Sequence, residues 1–399
     1  MKINTYNQQA IDDNSDDREL DYQQIRDEYI ALMENEFDFT TSGTKCTPDV
    51  VWDVIGMSSI NTQTINATCQ QLDNVATGEA VRYQLNRGLL AGADIEETED
   101  RMNDLLNDQI PNRLRKKGKT CACDLTLLPY HGAPKNNDNE VRRGKAESGT
   151  THFHVYGSIS ILQKNQRIIA AVAFWKKDES LEELLSRLLE RLDSHGISLK
   201  RLLLDREFAS VDIIRYLDAS PWQSIMPVPA RSDFLKDLRS SAKRSDSLPY
   251  TMTSSDSGEA TFELHVVCRY ANGRRGKKGM DRYLFAVLGR KWKGAPSNLA
   301  ETYRRRFGIE ADYRMMNSVR ARTSSRDPKY RLLLVTAAFV LINLWLIIRW
   351  RKLAKPRRGG RFIDPSVLPL DFFCNLFRDA IRKKRGFVQV IRMHQHAVF

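Results

Sequence analysis

Residues 303–317, YRRRFGIEADYRMMN, carry Tyr303, Arg306 and Glu310 at the spacing Y-x2-R-x3-E. The stretch has no Pro and a single Gly, Gly308, so its composition predicts a helix. At about 100° per residue, positions i, i+3 and i+7 fall within about 60° of one another. One face then shows a phenol, a guanidinium and a carboxylate. Glu310 can ligate a hard divalent cation while Arg306 pairs with phosphate oxygens. The plain alternative is a solvated face with an i,i+4 Arg306–Glu310 pair. The rest of the chain decides between the two.

Just downstream, residues 332–348 (LLLVTAAFVLINLWLII) form an apolar run bounded by Arg331 and Arg349. It is barely long enough to span a bilayer, and Thr336 and Asn343 interrupt it. With no other such segment, it reads as a helix buried on all sides that braces the preceding site, and no membrane partner is expected. Upstream, residues 231–295 are rich in Ser, Gly and Lys, with alternating stretches at 260–269 and 281–288. They read as a β-rich insertion, after which Ser297 is placed to cap the helix carrying Tyr303.

Before the insertion the pattern is strand, hairpin, helix, strand, helix, strand. The strands are 120–127 (TCACDLTL), 153–162, 167–175, 199–204 and 223–229. The polar segment 128–148 reads as a loop, and the turn at 163–166 closes the hairpin. Ser180 with Glu183 three residues on forms a capping box for a helix that stops at Gly196, and a short helix covers 211–217. A mixed sheet flanked by helices follows. Residues 1–110 read as helical, with candidates at 22–35, 60–75, 79–90 and 95–106, and a basic hinge at 113–119 follows.

The net charge of +12 over 399 residues favours a polyanionic partner, nucleic acid first. The N-terminal region is acidic, so the basic character concentrates late, at 304–306, 349–352, 355–361 and 382–385. Six scattered cysteines include Cys121 and Cys123 on one strand face but no paired C-x2-C motifs, which argues against a zinc ribbon and for reduced intracellular thiols. The polar, acidic N-terminus does not read as a signal peptide.

Asp124 stands alone in an apolar strand near its end, and Asp205 closes a later strand of the same sheet. Carboxylates at neighbouring strand ends, with Glu310 from a packed helix, can converge where an open α/β sheet places its ligands. Three converging carboxylates repel unless a cation neutralises them, so Mg²⁺ or Mn²⁺ is expected, as two ions acting on a phosphodiester. The bland readings are a turn cap for Asp124 and an Arg206 pairing for Asp205. His152 and His154 alternate on one strand and lack a third ligand nearby. Ser148, Ser180 and Ser210 have no nucleophile-elbow context, and there is no phosphate-binding G-x4-G-K-[ST] loop.

Taken together, Asp124 in CDLTLLPYHG, Asp205 in LLLDREF, and Tyr303, Arg306 and Glu310 resemble the three motifs of the DDE transposases of prokaryotic insertion sequences, in the group marked by Y-x2-R-x3-E. The resemblance runs from about 120 to 348. It implies an RNase H-like catalytic domain interrupted by a β-rich insertion, with Asp124, Asp205 and Glu310 as catalytic metal ligands. It further implies cut-and-paste transposition on double-stranded DNA, both element ends and target, by a homodimer on paired ends. A cytoplasmic, nucleoid-associated location goes with that. Tyr303 and Arg306 would contact DNA, and Trp292 in the basic GRKWKG stretch is a candidate for stacking on a flipped base. The family's Lys seven residues after the Glu is Asn317 here, so Arg314 and Arg320 are candidate substitutes. The expected division is a helical accessory domain at 1–112, a catalytic domain in two parts at 118–230 and 296–352, the insertion at 231–295, and a basic tail at 353–399. Rival readings are a structure-selective nuclease on the same scaffold, a catalytically silent DNA-binding relic, and a membrane protein built on 332–348.

Overall fold

The computed structural model describes residues 20–41, 43–132, 141–163, 166–270, 279–358 and 360–389. In chain order the elements begin with α1 (Tyr22–Glu36), α2 (Pro48–Ile60), α3 (Ile65–Cys69), α4 (Gly78–Gln84) and α5 (Ile95–Asp108). Next come α6 (Asn112–Arg115), β1 (Lys119–Pro129), β2 (Arg142–Glu147), β3 (Thr150–Gln163) and β4 (Gln166–Phe174). The sheet region continues with α7 (Leu181–Ser194), β5 (Leu199–Leu203), α8 (Val211–Asp218), β6 (Gln223–Pro227) and α9 (Asp233–Ser241). β7 (Asp246–Ser254), β8 (Gly258–Tyr270), β9 (Met280–Gly289), α10 (Pro296–Arg304) and α11 (Phe307–Ser318) follow. The chain ends with α12 (Pro328–Ile348), β10 (Lys355–Arg357), β11 (Gly360–Phe362) and α13 (Leu370–Arg385). Its contacts divide into two compact units, Ile110–Tyr313 and Met1–Gln109 with Arg314–Phe399.

The Ile110–Tyr313 unit is built on one mixed sheet in the order β2-β3-β1-β5-β6-β9-β8-β7, with β4 also paired to β3. β1, β3 and β4 are antiparallel, while β1, β5 and β6 are parallel, and this is the RNase H-like arrangement expected from the sequence. The strands of the β-rich insertion do not form a separate layer. β9 pairs antiparallel with β6 and extends the same sheet outward through β8 and β7. The capping box holds: Ser180 Oγ accepts from Glu183 N at 3.1 Å and Glu183 Oε2 from Ser180 N at 2.7 Å. α7 packs on β3 at Gly157, where a Cβ would come within 2.8 Å of Leu188. Several expectations need correction. The 128–148 segment contains β2 in its described part, and the insertion contains α9 and β7, whose polar, exposed residues give no apolar alternation. The expected turn at 163–166 includes residues 164–165, which lie outside the described residues.

In the other unit, α1 and α5 start and end close to expectation. The helix expected at 60–75 is replaced by α2 and α3. Pro48 opens α2 at its first turn, and Thr64 caps α3 by accepting from Ala67 N at 3.2 Å. The 79–90 helix becomes α4 followed by a π-helical turn, Leu85–Leu90. α12 starts at Pro328 under an Asp327 cap, and its apolar window is 83% buried, as a helix apolar on every side requires. It packs on α5, α2, α1 and α13. The contact division therefore falls inside α11, and the apolar helix belongs with the N-terminal helices rather than with the sheet. α13 is likewise packed, on α1 and α2. Arg26 and Arg385 both bond the wholly buried Asp53, Arg26 through two nitrogens at 2.8 Å, which ties α1, α2 and α13 by charge.

Candidate active site

The sheet register sets the first two carboxylates side by side. Ala122 of β1 is level with Leu203, the last residue of parallel β5. Two residues further along both strands stand Asp124 and Asp205, on one face because side chains alternate. Asp124 is not at the end of its strand. β1 continues to Pro129 against β3, and Asp124 marks where it loses its parallel neighbour. That is the carboxyl end of β5, the edge at which an open α/β sheet leaves a crevice. Asp205 caps a short 3-10 turn, Arg206–Phe208, accepting from Arg206 N at 2.7 Å.

The third carboxylate arrives on a broken helix. The sequence predicts one continuous helix through 303–317, but the chain tightens at Arg305 and Arg306 between α10 and α11. Successive i,i+3 bonds run from Arg305, Arg306, Gly308 and Ile309 back to Thr302, Tyr303, Arg305 and Arg306. Ala295 and Pro296, not Ser297, start α10. Gly308 allows a close approach to the sheet, since a Cβ there would lie 3.1 Å from Leu162. Through this turn Arg306 is directed inward and is only 6% exposed.

Arg306 gathers the site. Its Nη1 donates to Asp124 Oδ2 at 2.8 Å, and its Nη2 donates to Glu310 Oε1 at 2.5 Å and lies 3.7 Å from Asp205 Oδ1. Burial opposes its charge, yet Tyr303 and the three carboxylates hold its pKa above the ordinary value. Asp124 is pushed up to about 6, chiefly by burial, with Arg306 and the Leu125 amide pulling the other way and Asp205 adding to the rise. Tyr303 lies with its ring 5.8 Å from the Arg306 guanidinium and donates its hydroxyl proton to Leu204 O at 3.0 Å. It therefore braces the chain immediately before Asp205, and burial raises its pKa.

A second set of contacts escaped the sequence reading. Tyr313, one turn beyond Glu310, donates to the backbone oxygen of Asp124 at 2.6 Å. With that proton committed, Ser158 Oγ, 2.8 Å away, is the donor to the Tyr313 oxygen. Ser160 donates to Asp312 Oδ2 at 2.9 Å, and Arg167 Nε stands 2.5 Å from Oδ1. These contacts pin α11 to β1, β3 and β4. Their sequence signal is faint: Ser158 and Ser160 alternate with apolar residues in GSIS, and Tyr313 shares a helix face with Glu310.

The other candidates are placed differently. Trp292 is half-buried, its Nε1 donating to Ala295 O at 3.2 Å and its ring 5.4 Å from the Arg201 guanidinium. Arg314 is exposed on α11 and Arg320, half-buried, follows that helix, both in the other compact unit. His154 is wholly buried against Tyr130 and Phe174. Beside Tyr303 opens a cavity of about 840 Å³ lined by Tyr270, Tyr283, Phe285 and Phe307 and by Arg206, Arg239, Arg269, Arg282 and Arg304. No motif in the sequence joins those residues, which come from five separate segments.

The carboxylates suit a hard divalent cation in donor type and number. Among the described residues, no three acidic, His or Cys side chains stand together as a ready metal cluster. Arg306 lies within 4.0 Å of an oxygen of each of the three carboxylates.

Comparison with known proteins gives the family and the fold. The family profile described as the transposase DDE domain matches residues 115–344, more than half of the chain. The chain belongs to that family. Among solved structures it is similar to a piggyBac transposase determined by cryo-EM as a synaptic complex with hairpin DNA. The TM-score is 0.55 at 9% identity, over 94% of this chain and 84% of that one. That likeness is one of fold. A search of curated proteins finds no match.

Proposed function

We propose that this protein is a DNA transposase that cleaves at the ends of its own element and joins the freed ends to target DNA. The observation that carries the reading is the convergence of Asp124, Asp205 and Glu310 on a single cationic centre at the carboxyl end of β5. In this reading the three carboxylates hold two Mg²⁺ or Mn²⁺ ions. Ions so held supply Lewis-acid activation of an attacking water or 3′-hydroxyl and stabilise the leaving oxygen of the phosphodiester. Asp124 and Asp205 fix the ligands on the rigid sheet, and the turn at Arg305–Arg306 brings Glu310 to them. Arg306 exchanges its carboxylate contacts for phosphate oxygens, for which its planar fork is suited. Tyr303 steadies Asp205 through Leu204, and its hydroxyl oxygen still has acceptor capacity toward the substrate. Arg314, Arg320 and Trp292 are further DNA contacts in this scheme.

Water attacks phosphorus and the P–O3′ bond breaks, leaving a free 3′-hydroxyl. That hydroxyl then attacks a target phosphate and displaces the target's own 3′ oxygen. Joining two ends calls for two copies of the chain in this scheme. The test is nicking and strand transfer on duplexes bearing the element's ends, with Mg²⁺ or Mn²⁺, comparing wild type and Glu310→Gln. Joined products that vanish in the variant support the proposal. Nicking without joined products supports a nuclease instead, and salt-sensitive binding without cleavage supports a DNA-binding relic.

A further inference from the structure

The most basic stretch of the chain takes no part in the site above. From Arg349 to Arg361 there are seven Lys or Arg residues and no Asp or Glu. Within it β10 and β11 pair as an antiparallel ribbon, Lys355 opposite Phe362, Pro356 opposite Arg361 and Arg357 opposite Gly360. Among the described residues the ribbon is a sheet of its own, joined to no other strand. Lys355, Arg357, Arg358, Arg361 and Phe362 are all exposed. Among the described residues none of those four cations forms an ion pair within 4.0 Å. An isolated two-stranded ribbon is marginal in water, so something must hold its base. Arg349 does so from one side, donating to Asp364 O at 3.0 Å just beyond β11 while stacking on Trp345. Trp345 Nε1 donates to Leu368 O at 2.8 Å, and Arg351 pairs with Glu28 of α1. The result is an anchored base carrying exposed cations that form no ion pair among the described residues.

We infer that the β10–β11 ribbon is a double-stranded DNA-binding arm that enters a groove of the duplex. This rests on the transposase reading for the kind of partner, but not on the chemistry of the carboxylates. Three residues at about 3.3 Å each give an arm about 10 Å long, against a major groove about 8.5 Å deep and about 12 Å wide that admits a two-stranded ribbon. Four cations on so short an arm cost electrostatic self-repulsion that phosphates on both walls of a groove relieve. Arg357 lies 5.7 Å over the Phe362 ring, which stiffens the tip without consuming its charge. Pro356 gives up an N–H on a strand that has an unpaired edge, where its loss costs little.

The experiment measures binding of a 20-base-pair duplex by fluorescence anisotropy from low to high salt, using the full chain without divalent metal. Wild type is compared with Arg357→Gln/Arg358→Gln/Arg361→Gln and with an equal-charge control, Lys177→Gln/Lys200→Gln/Lys236→Gln. All six side chains are exposed, and matching thermal unfolding curves confirm that both variants fold. If each arginine neutralises one phosphate, the slope of log K against log salt falls by about 0.9 per residue, about 2.7 in all. With affinity at 1 M salt unchanged, that weakens binding at 0.1 M by up to about 500-fold. The inference is upheld if the ribbon variant shows this loss and the control does not. It is overturned if both variants keep the wild-type slope, or if both lose it equally, while the transposase reading stands in either case. A wild type that binds anionic vesicles and no duplex overturns the ribbon assignment and the transposase reading together.

Discussion

Replacing Arg306 by Gln should make the metal-free protein less stable and the divalent-metal complex tighter. Among the described residues, Arg306 is the cation that reaches all three carboxylates, at 2.8 Å from Asp124, 2.5 Å from Glu310 and 3.7 Å from Asp205. At an effective dielectric near 20, charges about 4 Å apart interact by about 4 kcal/mol. Glu310 is 40% exposed, so solvent screens much of its share. Asp124, at 13% exposure, counts for most of the effect. The loss is offset because Arg306 no longer has to be desolvated and because Asp124 can take up a proton. Removing one member of a buried ion pair typically costs about 3–5 kcal/mol, and the offsets bring the expectation here to about 2–4 kcal/mol. For a unit of this size that lowers the unfolding midpoint by roughly 6–12 °C. A divalent ion then enters without displacing a guanidinium, so Mn²⁺ should bind at least tenfold more tightly and recover most of the lost stability. Cleavage should still fail, because the phosphate contact is gone. Calorimetric titration with Mn²⁺ and thermal unfolding with and without it read all three effects. Wild-type stability in the variant, or Mn²⁺ affinity that falls, would refute the picture of Arg306 as the charge that binds the three carboxylates in metal-free protein.

Further expectations concern the surrounding contacts. Tyr313→Phe removes the bonds to Asp124 O and Ser158, costing about 1–2 kcal/mol. It should lower kcat several-fold while leaving KM and DNA affinity unchanged, and an unchanged kcat would mean that the pin does not position Asp124. Asp124, raised to about 6 from 3.8, contributes stability to the metal-free fold that is full below pH 4 and lost as pH rises through 6. A metal ligand must be deprotonated, so Mn²⁺ affinity should fall about tenfold per pH unit below 6 and level off above 7, as titration at several pH values will show. Asp312 is also raised to about 6 by burial, and Asp312→Asn should leave that affinity profile in place. In the helical unit, Asp53→Asn removes the buried carboxylate shared by Arg26 and Arg385, which keep Asp27 and Asp49 as partners, and should cost about 2–3 kcal/mol, measured by urea unfolding.

The candidate site was legible in the sequence wherever it depended on residue type and order, and illegible where it depended on geometry between segments. Asp124, Asp205 and Glu310 were recognisable because a charge in an apolar strand, a charge closing a strand and a spaced Y-R-E triplet each break a local pattern. The sheet's strands β1, β3, β4, β5 and β6 were legible from runs of apolar and β-branched residues. β7 and α9 were not, because exposed edge elements of polar composition carry no burial pattern. α2 was missed for the opposite reason: with every residue but Pro48 and Asp49 buried, PDVVWDVIGMSSI has no polar face to reveal its period. The break at Arg305–Arg306 has no Pro or paired glycines to announce it. It follows from packing Gly308 against Leu162 and turning Arg306 toward three carboxylates. Likewise the apolar run after α11 was legible as a buried helix, but nothing in its composition said which unit would bury it.

The central claim is that Asp124, Asp205 and Glu310 together hold the divalent ions. Anomalous diffraction from crystals grown with Mn²⁺, ideally with an element-end duplex, tests it directly. The account predicts manganese peaks within ligand distance, about 2.0–2.3 Å, of oxygens from all three carboxylates, with the Arg306 guanidinium moved off them. Manganese bound elsewhere, or a fully soaked crystal in which Arg306 still bridges the three carboxylates, would contradict it.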